Sequence, residues 1–216
     1  MTRLPNLAVV VVLLAVTAAA PLAQHTRLFK PEDLSELEAP DRDEWQQPGK
    51  IMDIMGIGEA SIVADLGAGS GWFTIRLANR VGPNGRVYAE DVQKPMIQAI
   101  KVRVDRLGLK NVETVLGTDT DPRLPRPVDA VLICDAYHEA EKPVALLTNL
   151  VKSLKPTGRI GIVDFKKDGG SPGPAMEERV DPEAVIRDAQ AAVLVLRSRE
   201  TFLKYQYMLV FEKPRP

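Results

Sequence analysis

Three groups of residues have the types and spacing that chemistry needs. The first is Asp65 followed by the run Gly67, Ala68, Gly69, Ser70 and Gly71, which closes an apolar stretch and opens a helical pattern. Glycines there let the backbone turn sharply and approach a ligand with no Cβ atoms in the way. The free N–H groups at the start of the helix can then face a polar group. The second is Asp91, twenty residues after Gly71, with Glu90 beside it. A carboxylate at that distance, at the end of the next strand, can accept hydrogen bonds from both hydroxyls of a ribose. Strand alternation predicts that only one of the pair faces a ligand, and Asp91 is the better placed. The third is Asp135, Tyr137, His138 and Glu139, four polar groups in five residues after another apolar run.

The spacing of the glycines restricts the ligand. A dinucleotide turn reads G-x-G-x-x-G, and its third glycine lets helix and strand pack closely. Here Trp72 holds that place, and no G-K-[ST] follows, so neither a pyrophosphate turn nor a P-loop is expected. Asp65 would repel a phosphate and favour a cation such as an amino-acid ammonium.

These residues need strands and helices to hold them. Apolar runs predict strands over 62–66, 86–90, 112–116, 128–134, 159–165, 193–196 and 205–212. Helical periodicity predicts helices over 72–81, 94–107, 143–154 and 182–192, with a short one over 51–55. Pro95 and Pro182 suit first helical positions, and Asp181 suits a cap. Residues 82–85, 155–158 and 197–204 read as turns, and 24–39 as irregular. Alternating strands and helices argue for an α/β domain with a mostly parallel sheet, whose pockets open at the carboxyl ends of its strands.

The run from Asp65 to Gly71 resembles motif I of the class I S-adenosylmethionine-dependent methyltransferases. Val87, Tyr88 and Asp91 match the family's V-Y-x-x-D pattern. Lys155, Pro156, Thr157 and Gly158 match its L-K-P-G-G turn, with Thr157 in place of one glycine. The resemblance spans residues 45–213. It implies a Rossmann-like doubly wound sheet of seven strands in the order 3-2-1-4-5-7-6, strand 7 antiparallel. It also implies S-adenosyl-L-methionine as cofactor, held by Asp65, Gly67, Ala68, Gly69, Gly71, Asp91, Val92 and Asp135. The adenine contact falls to Thr118, in the place of the family's acid, or to Asp119 one step later.

Transfer of a methyl group from a sulfonium is an in-line displacement whose leaving group departs neutral. It needs alignment above all, and a base only where the acceptor must lose a proton. His138 is the favoured base because an imidazole titrates near neutrality. Tyr137 would orient the acceptor, and Glu139 and Asp135 are alternatives. The other readings of this fold are a cofactor-binding sensor without catalysis and, disfavoured by Trp72, a nicotinamide enzyme.

Composition bounds the partners. The 216 residues carry 28 basic and 29 acidic side chains, a net charge of −1, so nothing points to nucleic acid, and a small-molecule acceptor is expected. The lone Cys134 lies in an apolar run and reads as core. His25 and His138 lack metal-ligand spacing. Residues 1–23 read as a signal peptide, cleaved after Ala20 or Ala23, or as a membrane anchor through the apolar residues 7–20. The chain is therefore expected to be exported or membrane-held. Residues 24–49 form an extension in which Trp45 either packs on the domain edge or belongs to a cover over the cleft. The domain itself occupies 50–216. Residues 166–175 read as a mobile lid or as a plain surface loop. Oligomeric state is not legible.

Overall fold

In the computed structural model the apolar runs become seven strands: Ile62–Leu66 (β1), Arg86–Asp91 (β2), Val112–Leu116 (β3), Val128–Cys134 (β4), Leu154–Phe165 (β5), Val195–Glu200 (β6) and Gln206–Glu212 (β7). They form one sheet in the order β3-β2-β1-β4-β5-β7-β6. The first five are parallel, and β7 runs antiparallel between β5 and β6. This is the order that the family resemblance implied. The structure describes residues 28–215 apart from 169 and 171. The expected signal or anchor segment, 1–23, lies outside them. Among the described residues no helix is long and apolar enough to cross a membrane.

Side chains alternate across each strand, so the sheet carries two cores. On one face Val63, Val87, Ala130, Leu132 and Met208 meet Ile51 and Met52 of α2 (Pro48–Ile54) and Leu77 and Val81 of α3 (Trp72–Val81). Ile100 and Val104 of α4 (Lys94–Arg106) cover Ala89 beside them. On the other face Ala64, Val131, Ile133, Ile160, Ile162 and Phe211 meet Leu147 and Leu150 of α5 (Pro143–Ser153) and Val185 of α6 (Pro182–Ala191). Burying one such Val, Leu or Ile is worth about 1.5–3 kcal/mol over leaving it exposed. That is why the central strands are apolar on both faces. Asp181 caps α6 by accepting from the Glu183 N–H at 2.8 Å.

Three expectations change. Residues 155–158 do turn, but inside a strand: Leu154 pairs with Val128 and Arg159 with Ala130, so they bulge out of one continuous β5. The sixth strand is Val195–Glu200, not 193–196, because the ladder with β7 runs on to Glu200 opposite Met208. Its Arg197 and Arg199 face solvent on an edge strand, where no apolar period is needed. Residues Pro31–Glu38 form a 3-10 helix, and Arg42–Gln46 forms a short helix, α1. Both lie across the carboxyl edge of the sheet.

Candidate active site

A cleft runs along the carboxyl ends of β1, β2 and β4. Its floor is the glycine turn after β1. Gly67 adopts φ 66°, and a Cβ there would lie 2.5 Å from the Ala136 Cβ, so the turn packs directly against the chain leaving β4. Gly69, at φ 53°, faces Leu37, 3.1 Å from where its Cβ would stand. The expected residues Asp65, Gly67, Ala68, Gly69, Asp91, Val92, Thr118, Asp119, Asp135 and Tyr137 all line this cleft. Gly71 does not. It is the residue before α3, at φ 79°, and faces Ile100 and Thr74 in the interior.

Carboxyl groups crowd the floor, and burial raises their pKa values. Asp65 accepts from the Thr74 hydroxyl at 2.6 Å, and burial pushes it up to about 6 against that bond and the nearby Arg42 charge. Asp91 accepts from the N–H groups of Gly69 at 3.0 Å and Gln93 at 2.8 Å; burial raises it, and these bonds oppose the rise. Glu90 lines the cleft as well, contrary to the expectation that only one of the pair would. Its side chain lies on the opposite face of β2 but reaches over the strand end, between Gly67 and Gly117. Burial first, then Asp91, hold it well above the usual carboxylate range. The Ser70 hydroxyl is buried in the same turn without a hydrogen-bond partner among the described residues.

The roof is a strap made of residues 28–46, which the sequence reading left partly irregular. Leu28, Phe29, Leu37 and Arg42 line the cleft from above. The strap is tied down at several places. The Phe29 carbonyl accepts from the Gln93 amide at 2.9 Å, and its N–H donates to Glu139 at 3.3 Å. Arg103 of α4 binds Glu38, at 2.9 Å through one nitrogen, and the Ser70 carbonyl at 3.1 Å. Arg42, only 6% exposed, donates to Asp135 at 2.9 Å, to Gln46 at 2.8 Å and to the Leu37 carbonyl at 2.8 Å. Its guanidinium lies 4.3 Å from the centre of the Trp72 ring.

Asp135 ends β4 at φ 58°, a left-handed turn that aspartate tolerates better than most residues. Burial lifts its pKa to about 6 despite the Arg42 charge. Gln206, at the start of β7, donates to Asp135 and accepts from Gln46 at 2.7 Å. Gln46 also donates to Cys134 Sγ at 3.1 Å. This network locks the strap to two strand ends. Arg42, Gln93, Phe29 and Gln206 were not picked out from sequence. Arg42 sits in a charged stretch where nothing in the spacing singles out one arginine for insertion. Trp45 packs at the domain edge, its ring centre 6.1 Å from those of Phe165 and Tyr205, while its own helix carries Arg42 to the cleft.

The two residues expected to do catalysis are placed otherwise. His138 is not in the cleft lining. Its Nδ1 lies 3.0 Å from an oxygen of the fully buried Asp164, and its N–H donates to the same carboxylate at 3.0 Å. Burial disfavours the imidazolium, but the Asp164 carboxylate outweighs burial and raises the pKa. Tyr137 lines the cleft, yet its hydroxyl donates to Asp188 of α6 at 3.0 Å, and burial raises its pKa further. Both are structural anchors of the chain after β4. Glu139 does line the cleft, and burial brings it up to about 7.

The described residues of 166–175, expected as a lid or a surface loop, are tied to one buried arginine. Arg179, 4% exposed, donates to the carbonyls of Lys166, Gly170, Pro172 and Pro174 and lies over the Phe165 ring.

Comparison with known proteins agrees with this architecture. A methyltransferase domain family matches residues 63–158. The chain is 30% identical to a SAM-dependent methyltransferase from Aquifex aeolicus of known crystal structure, with a TM-score of 0.80, over 85% of this chain and 98% of that one. It is 28% identical to the nocamycin O-methyltransferase of Saccharothrix syringae, over 60% of this chain and 45% of the relative. It is 32% identical to the demethylmenaquinone methyltransferase of Bacillus cytotoxicus, over 54% of this chain and 48% of the relative. The chain thus spans about half the length of the curated relatives it matches.

Proposed function

This chain belongs to the S-adenosylmethionine-dependent methyltransferases, and from that premise we propose that it methylates a small organic acceptor in the cleft under its N-terminal strap. S-adenosyl-L-methionine is the cofactor. The residues of the cleft suit that molecule. Its sulfonium and ammonium are cations, and the floor offers Asp65, Glu90, Asp91 and Asp135. Its ribose carries a diol, and Asp91 is held by backbone N–H groups, with no basic side chain bound to it among the described residues. The buried Ser70 hydroxyl has no hydrogen-bond partner among the described residues.

When bound, the cofactor supplies an electrophilic methyl carbon. The chain's own part is to bind, align and exclude water. Asp91 would hold the ribose hydroxyls, Asp65 and Asp135 would face the positive groups, and Thr118 or Asp119 would meet the adenine. The strap, with Leu28, Phe29 and Leu37, closes the cleft against water. That raises the strength of every charge interaction inside and fixes the partners in line. The names of the nocamycin and demethylmenaquinone relatives support a small acceptor.

The observation that carries this reading is the Asp91 carboxylate, presented by Gly69 and Gln93 at the carboxyl edge of the sheet. Calorimetry of the full chain with S-adenosylhomocysteine tests it. Binding is expected, and Asp91→Ala should weaken it by about 1.5–3 kcal/mol, the scale of a hydrogen bond to a charged group. A wild-type protein that binds nothing at millimolar ligand would overturn the reading.

A further inference from the structure

We propose that Glu139 takes the proton from the methyl acceptor, and that the acceptor is a hydroxyl or amine compound with an apolar body, neutral or cationic rather than anionic. The inference rests on the methyltransferase reading above and names the substrate class for the same cleft.

Asp65 is bound to Thr74, Asp91 to two backbone N–H groups, and Asp135 to Arg42 and Gln206. Glu90 lies at the floor, against Gly67 and Gly117. The Tyr137 hydroxyl is taken by Asp188, and the Cys134 sulfur accepts from Gln46. Asp119 and Glu141 stand exposed at the mouth. Glu139 is different. It is half-buried in the wall, and among the described residues its one hydrogen bond is the 3.3 Å contact from the Phe29 N–H. One carboxylate oxygen is left to receive a proton.

The surroundings set the acceptor's character. Leu28, Phe29, Ala140 and Leu146 line the same cleft and suit an apolar body. Arg42 is the one basic side chain among the described lining residues, and Asp135, Gln46 and the Leu37 carbonyl already occupy it. Among the described residues a carboxylate or phosphate acceptor would therefore meet Glu139, Glu141 and Asp119 with no free cation to offset them.

The step balances as follows. The acceptor's oxygen or nitrogen forms a bond to the methyl carbon. The carbon–sulfur bond breaks, and its electron pair stays on sulfur, which leaves as a neutral thioether. The acceptor's proton passes to Glu139 and then to water. Glu139 must be ionised to do this. Burial raises its pKa, His138 beside it lowers it, and Asp91 from β2 and Asp164 from β5 raise it. From the strap it meets only the uncharged Phe29 N–H, and Glu141 shares the mouth. The rate should therefore rise as pH passes through neutrality.

The test compares the full-length protein with Glu139→Gln and Glu139→Asp. S-adenosylhomocysteine binding is measured by calorimetry. 4-Methylphenol and benzoate are then titrated onto the loaded protein by calorimetry. Transfer of labelled methyl to 4-methylphenol and tyramine is followed against pH. Glu139→Gln should keep S-adenosylhomocysteine affinity, lose methyl transfer roughly 100-fold or more, and lose the acidic limb of the pH profile. Glu139→Asp should recover part of each loss. The inference is overturned if Glu139→Gln keeps the wild-type rate and pH limb. It is equally overturned if benzoate binds more tightly than 4-methylphenol, or if a protein that holds S-adenosylhomocysteine binds neither. Failure of the wild type to bind S-adenosylhomocysteine would instead overturn the methyltransferase reading itself.

Discussion

His138 illustrates how residue type can mislead about role. An imidazole after a strand end invites a catalytic reading because it titrates near neutrality. Here Asp164 receives both its ring nitrogen and its backbone N–H, and the pair fastens the chain after β4 to β5. The consequence is a stability that depends on pH. The folded-state pKa of His138 is raised, so the pair stabilises fully below the unfolded value of about 6.5 and less as pH climbs through the folded value. Thermal unfolding of wild type and His138→Gln should therefore differ most near about pH 6, by about 1–3 kcal/mol, and converge toward alkaline pH. A gap that widens with pH would contradict the assignment. Glu139, the next residue, has no comparable side-chain partner among the described residues and lines the cleft. Tyr137–Glu139 form a 3-10 turn, and a one-residue step around it decides which of the two faces the cavity.

At the scale of elements, the strap depends on one short helix. Five residues cannot hold an α-helix in water by themselves, since nucleation costs more than one turn returns. α1 is held by tertiary contacts, chiefly Arg42 inserted between Trp72 and Asp135. Removing the arginine leaves Asp135 buried without its cation. Arg42→Ala should cost about 3–5 kcal/mol where the pair is buried, and it should release the strap before the sheet. Hydrogen exchange is the direct measurement: amides in 31–46 should lose protection while those of β1 and β4 keep theirs, and S-adenosylhomocysteine affinity should fall. Unchanged protection in the strap would show that its other ties, to Arg103, Gln93, Gln206 and Arg76, suffice to hold it. Arg179 does similar work for 166–181, where four carbonyls converge on one guanidinium. The glycines and prolines there suggested freedom, but the contacts point to a fixed loop.

Across the whole molecule, charge is almost balanced, at −1, yet it is unevenly placed. Among the described residues the cleft gathers Asp65, Glu90, Asp91, Asp135 and Glu139 around one lining arginine. Burial raises all five pKa values, with Asp65 and Asp135 near 6 and Glu139 near 7. A cationic ligand favours the ionised carboxylates, lowers those values and expels protons. Calorimetry in buffers of different ionisation enthalpy should find net proton release when S-adenosylmethionine binds near about pH 6. Less should be released with S-adenosylhomocysteine, which lacks the sulfonium charge. Proton uptake, or equal release by the two ligands, would mean that the carboxyl groups do not face the positive sulfur.

Much of this was legible in the chain by itself. The apolar runs marked the strands, the spacing of Gly67 and Gly69 and the place of Asp91 marked the turn and strand end that line the cleft, and the family resemblance they carry supplied the sheet order. Those features are local: a period of two or a positive φ constrains neighbours along the chain. What only the tertiary structure decided is which distant groups the polar side chains meet. His138, Tyr137, Asp135 and Glu139 are close in sequence and similar in promise. Their partners are Asp164, Asp188, Arg42 and Phe29, 26, 51, 93 and 110 positions away. A hydrogen bond is won by proximity in space, and no pattern along the chain records which distant group arrives first.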